Sequence, residues 1–221
     1  MGLFAVTNRY EQIKLIIDFI KPITIVEIGT WNGDRAIEMS LTALKHNSHV
    51  HYWGFDFFEL GDERSDQEEL NVKPHIPMEI VRAKLDDLQK KVPGFSADIV
   101  IGNTRSTLKN IELLTWTHPM TGMILRPSDS DFVFIDGGHS VVTLDNDFRA
   151  FRSCKNILLD DYYSENAEGL CPDIKKFGCN TLLGKIPHFV LPIKDAVSGG
   201  GVVQLAFVGD MADSMKGISK V

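Results

Sequence analysis

Short apolar runs and helical patterns alternate along most of the chain. The runs are rich in β-branched and aromatic residues and almost free of polar ones, which is typical of strands covered on both faces in a parallel sheet. They occupy residues 23–28, 52–58, 97–101, 132–135 and 156–159. Because helical patterns separate them, we predict a doubly wound α/β fold in which helices connect successive parallel strands.

Several segments have apolar residues at helical spacing. The first begins near Asn8, which can cap a helix with Glu11 completing a capping box, and it ends before Pro22. The others are a helix after Gly33 with Ile37, Leu41 and Leu44 inward, a helix at 107–114, a helix at 143–152 with Leu144, Phe148 and Phe151 inward, and a helix near 78–91. We expect these helices to cover the faces of the sheet.

The carboxyl-terminal part departs from this alternation. Two strand-like runs, 188–193 and 202–208, are joined by a loop that contains Ser198-Gly199-Gly200-Gly201. Such a connection is typical of a hairpin rather than of a helical crossover. We therefore expect an antiparallel C-terminal hairpin strand at one edge of the sheet.

Residues 59–96 form the longest interruption of the strand and helix pattern. The segment begins with an acidic stretch, contains Pro74 and Pro77, and then has the helical pattern at 78–91. It is either a solvated loop followed by a surface helix or a lid over the carboxyl ends of the strands. No break in composition marks a domain boundary, so we expect residues 1–221 to form one domain that carries 59–96 as a lid insertion.

Composition places the chain among ordinary globular proteins. Of 221 residues, 43% are hydrophobic and 24% are charged, and the formal net charge is -7. This negative charge argues against nucleic acid as a partner. The chain lacks a signal-peptide pattern, a long apolar span for a membrane and a paired cysteine motif, so we expect a soluble protein in the cytoplasm. The oligomeric state, including a homo-oligomer, stays open.

A glycine turn follows the first predicted strand. In Val26-Glu27-Ile28-Gly29-Thr30-Trp31-Asn32-Gly33, the chain turns tightly from a strand into a helix, which lets a ligand approach the backbone. The second strand carries Asp56 at its carboxyl end, about one βαβ unit later, where a carboxylate suits a ribose diol. The pair predicts a nucleotide-type ligand. The alternatives are a plain connection at Gly29 and a helix-capping charge at Asp56.

Aspartates end two further predicted strands. Asp136 lies in Phe134-Ile135-Asp136-Gly137-Gly138-His139-Ser140, and Asp160 and Asp161 follow Leu158-Leu159. Carboxylates that converge at one sheet edge repel each other unless they are hydrogen-bonded or bridged by a cation, and oxygen ligands suit Mg²⁺ or a similar divalent ion. His139 can accept a proton at neutral pH. Alternatively, Asp136 caps a helix, Asp160 and Asp161 are solvated, and His139 binds backbone at a helix start.

Together these motifs resemble those of the class I S-adenosylmethionine-dependent methyltransferases, over about residues 23–208. Glu27, Gly29 and Gly33 match the first motif of that family, whereas Trp31 stands where its middle glycine is expected. The resemblance implies a Rossmann-like sheet of seven strands that binds S-adenosylmethionine. The implied cofactor-binding residues are Glu27 and Gly29 at the amino-acid end, Asp56 at the ribose, Asn103 and Thr104 at the adenine, and also Thr30, Gly33 and Asp136.

The segments around Asp136 and Asp160 look like those of one methyltransferase subgroup. It includes macrocin-type sugar O-methyltransferases and relatives of cephalosporin-biosynthesis enzymes. The resemblance implies that Asp136, Asp160 and Asp161 bind a divalent metal and that Asp136 and His139 are catalytic, with His139 as the general base.

We therefore predict an enzyme that transfers a methyl group from S-adenosylmethionine to a hydroxyl of a small molecule, assisted by a divalent metal. Two alternatives stay open. An NAD-dependent oxidoreductase would also use the glycine turn and Asp56, although a GxGxxG motif is absent. A catalytically silent cofactor-binding domain would explain Trp31. The sequence does not define the acceptor, whether sugar, phenol or natural product.

Overall fold

The computed structural model describes residues 8–166, 178–196 and 201–209. The strands in this part of the chain are β1 (Thr24–Ile28), β2 (Val50–Asp56), β3 (Phe95–Ile101), β4 (Trp116–Thr117), β5 (Ile124–Leu125), β6 (Phe132–Ile135), β7 (Asn156–Asn166), β8 (Phe189–Val190), β9 (Asp195–Ala196) and β10 (Gly201–Gly209). The α-helices are α1 (Glu11–Ile20), α2 (Asp34–Leu44), α3 (Glu63–Glu69), α4 (Met78–Lys91), α5 (Thr104–Thr107), α6 (Val141–Ala150) and α7 (Gly178–Leu183). Short 3-10 helices cover Phe58–Leu60, Leu108–Leu113 and Pro127–Asp129. In these ranges no helix is long and apolar enough to cross a membrane.

One mixed sheet forms the centre of the fold. Its strand order is β3-β2-β1-β6-β7-β10-β8, and β9 also pairs with β10. The five strands from β3 to β7 in this order are parallel, as predicted, and β10 runs antiparallel between β7 and β8. The antiparallel pairing of β8 with β10 confirms the predicted hairpin, whose loop residues 198–200 lie outside the described part of the chain. The doubly wound α/β fold is therefore confirmed, with the short strand β9 added to the seven expected.

The strand order reverses between β1 and β6. From β1 the chain continues outward to β2 and β3, and it then returns to place β6 on the other side of β1. Ile28 and Ile135, the last residues of β1 and β6, are partners in the register. In open parallel sheets, ligands bind beyond the carboxyl ends of the strands at such a reversal. A ligand site is therefore expected just beyond these two residues.

Alternate strand residues face opposite sides of the sheet, and both sides are buried. On one side, Ile25 and Phe134 belong to a core cluster with residues of α1, α2 and α4. On the other side, Val26 and Val133 belong to a second cluster with residues of α6 and α7. The fold thus has three layers. Burial on both faces explains why the strand sequences are continuous apolar runs rather than alternating patterns.

The buried face of α2 differs from the predicted one. Leu41, which was expected to point inward, is 40% exposed, whereas Ala36, Met39 and Ala43 are buried. The prediction was therefore wrong for Leu41, whereas Ile37 and Leu44 are partly buried against the core as expected. It left out Ala36 and Ala43, whose small side chains let the helix lie close against the sheet.

The helix expected at 107–114 also differs from the observed structure. The side chain of Asn103 accepts the Arg105 N–H, which starts α5 at Thr104, three residues before the predicted start. The chain then continues as a 3-10 helix that contains a non-helical residue, Asn110. The apolar spacing detected the segment but not its cap, so the predicted bounds were shifted.

The segment 59–96 contains two α-helices rather than one. α4 has the expected bounds, Met78–Lys91. The acidic stretch before it, for which the sequence predicted no helix, forms α3. Asp62 and Ser65 make a capping box at the start of α3, and Leu70 ends the helix in the left-handed conformation (φ 57°). The three-residue spacing of Asp62 and Ser65 is the signal that predicts this helix.

Gly29 lies where the turn after β1 comes very close to the end of β6. Its φ is +90°, and a Cβ at this position would lie 2.1 Å from the carbonyl oxygen of Asp136. We expect Gly29→Ala to lower the free energy of unfolding by about 3 kcal/mol or more, because it adds a clash with the backbone to the strain of a left-handed residue. Urea denaturation measures this loss.

Gly122→Ala is the matched control. Gly122 also has a positive φ (+68°), but nothing lies within 4 Å of its Cβ position. This variant is expected to lose about 1 kcal/mol, which is the strain alone. Equal losses in the two variants would contradict the role assigned to the close approach at Gly29.

Candidate active site

Two adjoining cavities open beyond the carboxyl ends of the strands, at the reversal of the strand order. The residues lining the first, the β1–β2 cavity, include Gly29, Trp31, Asp56, Gly102 and Thr104. The residues lining the second, the β6–β7 cavity, include Arg9, Tyr10, Asp160, Asp161 and Tyr163. The cavities share a wall made of Asn71, Lys73 and the segment Asp136-Gly137-Gly138-His139. A molecule bound in one cavity would therefore lie next to a molecule bound in the other.

The turn after β1 is tied to the end of β2. Trp31 has a positive φ (+47°) and donates its backbone N–H to Asp56 Oδ2 at 2.7 Å. The Phe58 N–H donates to Asp56 Oδ1, also at 2.7 Å. Each carboxylate oxygen can accept more than one hydrogen bond, so Asp56 is a preoriented acceptor on the wall of the β1–β2 cavity.

Four of the predicted cofactor-binding residues, Glu27, Thr30, Gly33 and Asn103, are not among the lining residues of either cavity. Glu27 is buried and accepts a hydrogen bond from the Tyr52 hydroxyl at 2.5 Å. Thr30 lies beside it, with its hydroxyl 3.1 Å from the same Tyr52 oxygen, and Gly33 caps α2 in the left-handed conformation. Burial raises the pKa of Glu27 to about 8, although the Tyr52 hydrogen bond opposes this shift. Glu27 is therefore mostly protonated at neutral pH.

The residues around the predicted adenine site also differ in whether they line the cavity. Gly102 and Thr104 line the β1–β2 cavity, whereas the Asn103 side chain caps α5. Asp147, a fully buried residue of α6, accepts a bond from Asn146 Nδ2 at 3.0 Å with Oδ1, whereas its Oδ2 has no hydrogen-bond partner in the described part of the chain. The unpaired oxygen adds to the cost of burying this carboxylate in its ionised form.

The three predicted metal-binding aspartates converge at the β6–β7 cavity, but Arg9 and Tyr10 join them. Arg9 Nε and Nη2 bind the two carboxylate oxygens of Asp160 at 2.8 and 2.9 Å. The Tyr10 hydroxyl donates to Asp160 Oδ2 at 2.7 Å, and the Asp161 N–H donates to Oδ1 at 2.8 Å. Burial alone would raise the pKa of Asp160, but the hydrogen bonds and charge of Arg9 hold it below its ordinary value. Asp160 is therefore a buried, ionised partner of Arg9.

His139 and Asp161 form a second pair in this cavity. His139 Nδ1 lies 3.0 Å from Asp161 Oδ2. Burial lowers the pKa of His139, but the hydrogen bond and negative charge of Asp161 outweigh it, so the pKa of His139 is raised overall. The contact at Nδ1 fixes the direction of the ring and leaves Nε2 as the atom for proton exchange with a ligand.

Asp136 lines both cavities and lies at the junction between them. Burial raises the pKa of Asp136 well above its ordinary value, and the negative charge of Asp160 adds to the effect. Lys73 opposes this shift, with Nζ 4.0 Å from Asp136 Oδ2. Asp136 is therefore the acidic group of this cluster that most readily holds a proton.

The arrangement of these aspartates does not fit a divalent ion. No group of three or more His, Cys, Asp or Glu side chains within 8–166, 178–196 and 201–209 is suited to hold a metal. Asp160 already receives donors from Arg9 and Tyr10, and Asp161 faces His139, so the three aspartates form a hydrogen-bonded cluster here. The predicted Mg²⁺ site at Asp136, Asp160 and Asp161 is not shown. Sequence reasoning missed Arg9, which precedes Asp160 by 151 positions, because no local pattern marks such a pair.

Glu69, at the end of α3, is a further residue that sequence reasoning missed. It accepts hydrogen bonds from the Ser140 N–H at 3.0 Å, the Ser140 hydroxyl at 3.1 Å and the Thr143 hydroxyl at 2.5 Å. A Cβ at Gly138 would lie 2.5 Å from Glu69 Oε2, so this glycine makes room for the carboxylate. Glu69 thereby attaches the segment 59–96 to the start of α6, beside the shared wall of the cavities.

Comparison with known proteins shows which fold this is. No protein-family profile and no curated protein matches the sequence. Solved structures do match. One is the O-methyltransferase TomG from Streptomyces achromogenes in complex with S-adenosylmethionine, which is 16% identical to this chain. The match has a TM-score of 0.52 and covers 90% of this chain and 79% of TomG. An O-methyltransferase from Bacillus cereus, in complex with S-adenosylhomocysteine, has 15% identity and a TM-score of 0.55, over 91% of this chain and 80% of that protein.

A third structure, cofactor-bound Rv0187 from Mycobacterium tuberculosis, has 17% identity and a TM-score of 0.52, over 94% of this chain and 82% of that protein. At such low identity, the likeness shows the fold. The chain therefore has the Rossmann-like fold of S-adenosylmethionine-dependent methyltransferases, as its motifs predicted. Its function has to be argued from the residues of the site.

We predict that Asp147→Asn stabilises the protein at neutral pH but not in acid. Burial raises the pKa of Asp147 to about 6, so the folded state holds this proton more tightly than the unfolded state does. Stability of the wild type therefore falls as the pH rises from about 4 through 6, by a contribution of about 3 kcal/mol from this group. The difference between Asp147→Asn and wild type, measured by urea denaturation, should be near zero at pH 4 and grow towards that value by pH 7.5.

Asp145→Asn is the control for this prediction. Asp145 lies on the same helix but is exposed, in an ion pair with Arg149 at 2.8 Å. Its replacement should change stability by less than about 1 kcal/mol at any of these pH values. A constant difference between Asp147→Asn and wild type from pH 4 to 7.5 would contradict the buried-proton explanation.

Proposed function

We propose that this protein is an S-adenosylmethionine-dependent O-methyltransferase that acts on a small hydroxylated molecule. The observation that carries the proposal is the pair of adjoining cavities at the strand reversal, which share the wall Asp136-Gly137-Gly138-His139. A methyl donor in the β1–β2 cavity and an acceptor in the β6–β7 cavity would meet at this wall. Methyl transfer needs this proximity, because the attacking oxygen must approach the methyl carbon in line with the breaking bond.

The β1–β2 cavity supplies suitable partners for the cofactor. Asp56 would accept hydrogen bonds from both ribose hydroxyls, since backbone N–H groups already hold its carboxylate in place. Gly102 and Thr104 would contact the adenine, and the open backbone at Gly29 would face the methionine part. Glu27 would act from beneath the turn, where the positive amino group of the methionine would favour its ionised form.

The His139–Asp161 pair suits the acceptor side of the reaction. In the transfer, the acceptor oxygen forms a bond to the methyl carbon, the bond from carbon to sulfur breaks, and its electron pair leaves with the sulfur as a neutral thioether. The proton of the acceptor hydroxyl would pass to His139 Nε2. Asp161, 3.0 Å from Nδ1, would stabilise the resulting imidazolium.

The segment 59–96 would form a lid over the cofactor. Trp31 donates its indole N–H to the Pro74 carbonyl at 3.1 Å, and Lys73 and His75 line the β1–β2 cavity. Glu69 fastens the same segment to α6. These contacts would let the segment exclude water from a bound sulfonium.

Calorimetry with S-adenosylhomocysteine tests the cofactor site. We expect saturable binding by the wild type and binding at least about tenfold weaker by Asp56→Asn, because one charge-assisted acceptor of the ribose diol is lost. Asp87→Asn is the control, since Asp87 pairs with Lys91 on the surface of α4. Absence of binding to the wild type, or binding of NAD in its place, would contradict the proposal and favour the oxidoreductase alternative.

His139→Gln tests the assignment of the general base. Loss of the base should lower methyl transfer by about 10²–10⁴-fold. Affinity for S-adenosylhomocysteine should stay within about threefold of the wild type, because the proposed cofactor contacts do not include the imidazole. Transfer of labelled methyl groups from S-adenosylmethionine to a panel of phenols and sugars measures the first effect. Unchanged transfer in His139→Gln would remove His139 from the mechanism.

A further inference from the structure

Arg9 contacts three carboxylates from two strands, β7 and β9. Its bidentate bond to Asp160 is accompanied by Nη2 at 3.5 Å from Asp161 Oδ1 and Nη1 at 3.3 Å from Asp195 Oδ2. Its backbone N–H also donates to Asp195 Oδ2, at 3.0 Å. The Arg9 side chain is 8% exposed, so this is a buried charge and not a surface ion pair. One guanidinium thus joins the residues before α1, the strand β7 and the short strand β9.

The geometry of this cluster suits a guanidinium in particular. Two of its nitrogens meet the two oxygens of Asp160, as the planar fork of an arginine allows and the single ammonium of a lysine does not. Nη2 also donates to the Tyr10 hydroxyl at 2.8 Å, and the guanidinium carbon lies 4.4 Å from the centre of the Tyr10 ring. Burying two opposite charges is favourable only when their remaining hydrogen-bonding groups also find partners, as they do here.

We propose that Arg9 is the resident cation of the β6–β7 cavity, at the place where the aspartate motif predicts a divalent metal. It neutralises Asp160 and holds the backbone and side chain of Asp161 in position for the contact with His139. A divalent ion would need the same Asp160 oxygens at about 2.0–2.6 Å, so guanidinium and ion exclude each other. Arg9 is accordingly a positioning residue, which acts on His139 through Asp161. This inference rests on the proposed methyltransferase function, because only that function gives the position of His139 a role in catalysis.

This arrangement has a consequence for the acceptor. A divalent ion with open positions binds two adjacent oxygens of a ligand, which favours vicinal diols and catechols. A guanidinium offers no coordination positions. The acceptor of this protein therefore needs only one hydroxyl within reach of His139, and it does not need a second oxygen beside it.

Titration of Mn²⁺ onto the intact protein, followed by electron paramagnetic resonance, tests the inference without an acceptor. The wild type is expected to bind no Mn²⁺ at this site with a dissociation constant below about 1 mM. Asp160→Asn is measured in parallel, so that any weak binding elsewhere appears equally in both proteins. One equivalent of Mn²⁺ bound by the wild type and lost in Asp160→Asn would overturn the proposal.

Removal of the guanidinium provides the opposite test. Arg9→Gln frees the oxygens of Asp160, and we expect it to gain one Mn²⁺ with an affinity at least tenfold above the wild type. The gain should disappear in the double variant Arg9→Gln with Asp160→Asn. Arg35→Gln is the matched control, because Arg35 lies 3.5 Å over the Tyr10 ring but is expected to leave Mn²⁺ binding unchanged. If Arg9 had a purely structural role, its removal would create no new ion site. A folded Arg9→Gln protein that binds no Mn²⁺ at Asp160 would therefore overturn the proposal that Arg9 takes the place of an ion.

Two further measurements separate the possible failures. If Arg9→Gln does not fold, the comparison of wild type with Asp160→Asn decides the question alone. Binding of S-adenosylhomocysteine, measured on the same preparations, reports on the proposed function independently of Mn²⁺. A protein that binds S-adenosylhomocysteine and also one Mn²⁺ at Asp160 would keep the methyltransferase assignment and refute the role of Arg9.

Discussion

The buried ion pair between Arg9 and Asp160 is the interaction on which the β6–β7 cavity depends. Both charges are removed from water, so the pair is tolerable only because Tyr10 and the Asp161 backbone satisfy the remaining oxygen lone pairs. The pair ties Arg9 to β7, and through Asp195 to β9. Arg9 and Tyr10 thereby become part of the wall of the β6–β7 cavity. Loss of one partner would leave a buried charge and would also open this wall.

The segment between β2 and β3 is likewise held in place by a buried carboxylate whose oxygens accept hydrogen bonds. Glu69 is almost inaccessible and accepts three hydrogen bonds from Ser140 and Thr143 at the start of α6, where the helix dipole also favours a negative charge. The second glycine of the motif at Asp136 leaves the space that Glu69 occupies. Part of this motif is therefore explained by packing against the insertion, and not by direct contact with a ligand.

The carboxyl groups of the site differ in protonation state. Burial favours the protonated form of Asp136 and Glu27, whereas Arg9 keeps Asp160 ionised. His139 lies beside Asp161, whose carboxylate contacts Nδ1 and orients the ring. Groups with such different proton affinities at one sheet edge are characteristic of active sites, because catalysis needs both a proton acceptor and neutral neighbours. This chemistry, together with the two adjoining cavities, connects a fold shared with O-methyltransferases to the proposed activity.

The sequence by itself determined the elements whose causes are local. The apolar runs predicted the parallel strands, and the helical pattern at 78–91 predicted α4. The motifs predicted that Asp56 and Asp136 lie at the carboxyl ends of their strands. Each of these features depends on residues within one strand or a few helical turns. The tertiary structure alone decided which charges meet. The pairing of Arg9 with Asp160 stands where the motifs predicted a metal, and it joins residues 151 positions apart that share no periodic pattern. Only the folding of α1 against the sheet brings these two groups together. Once buried, each charge needs an opposite charge and hydrogen bonds to offset its lost hydration, and the other group provides them.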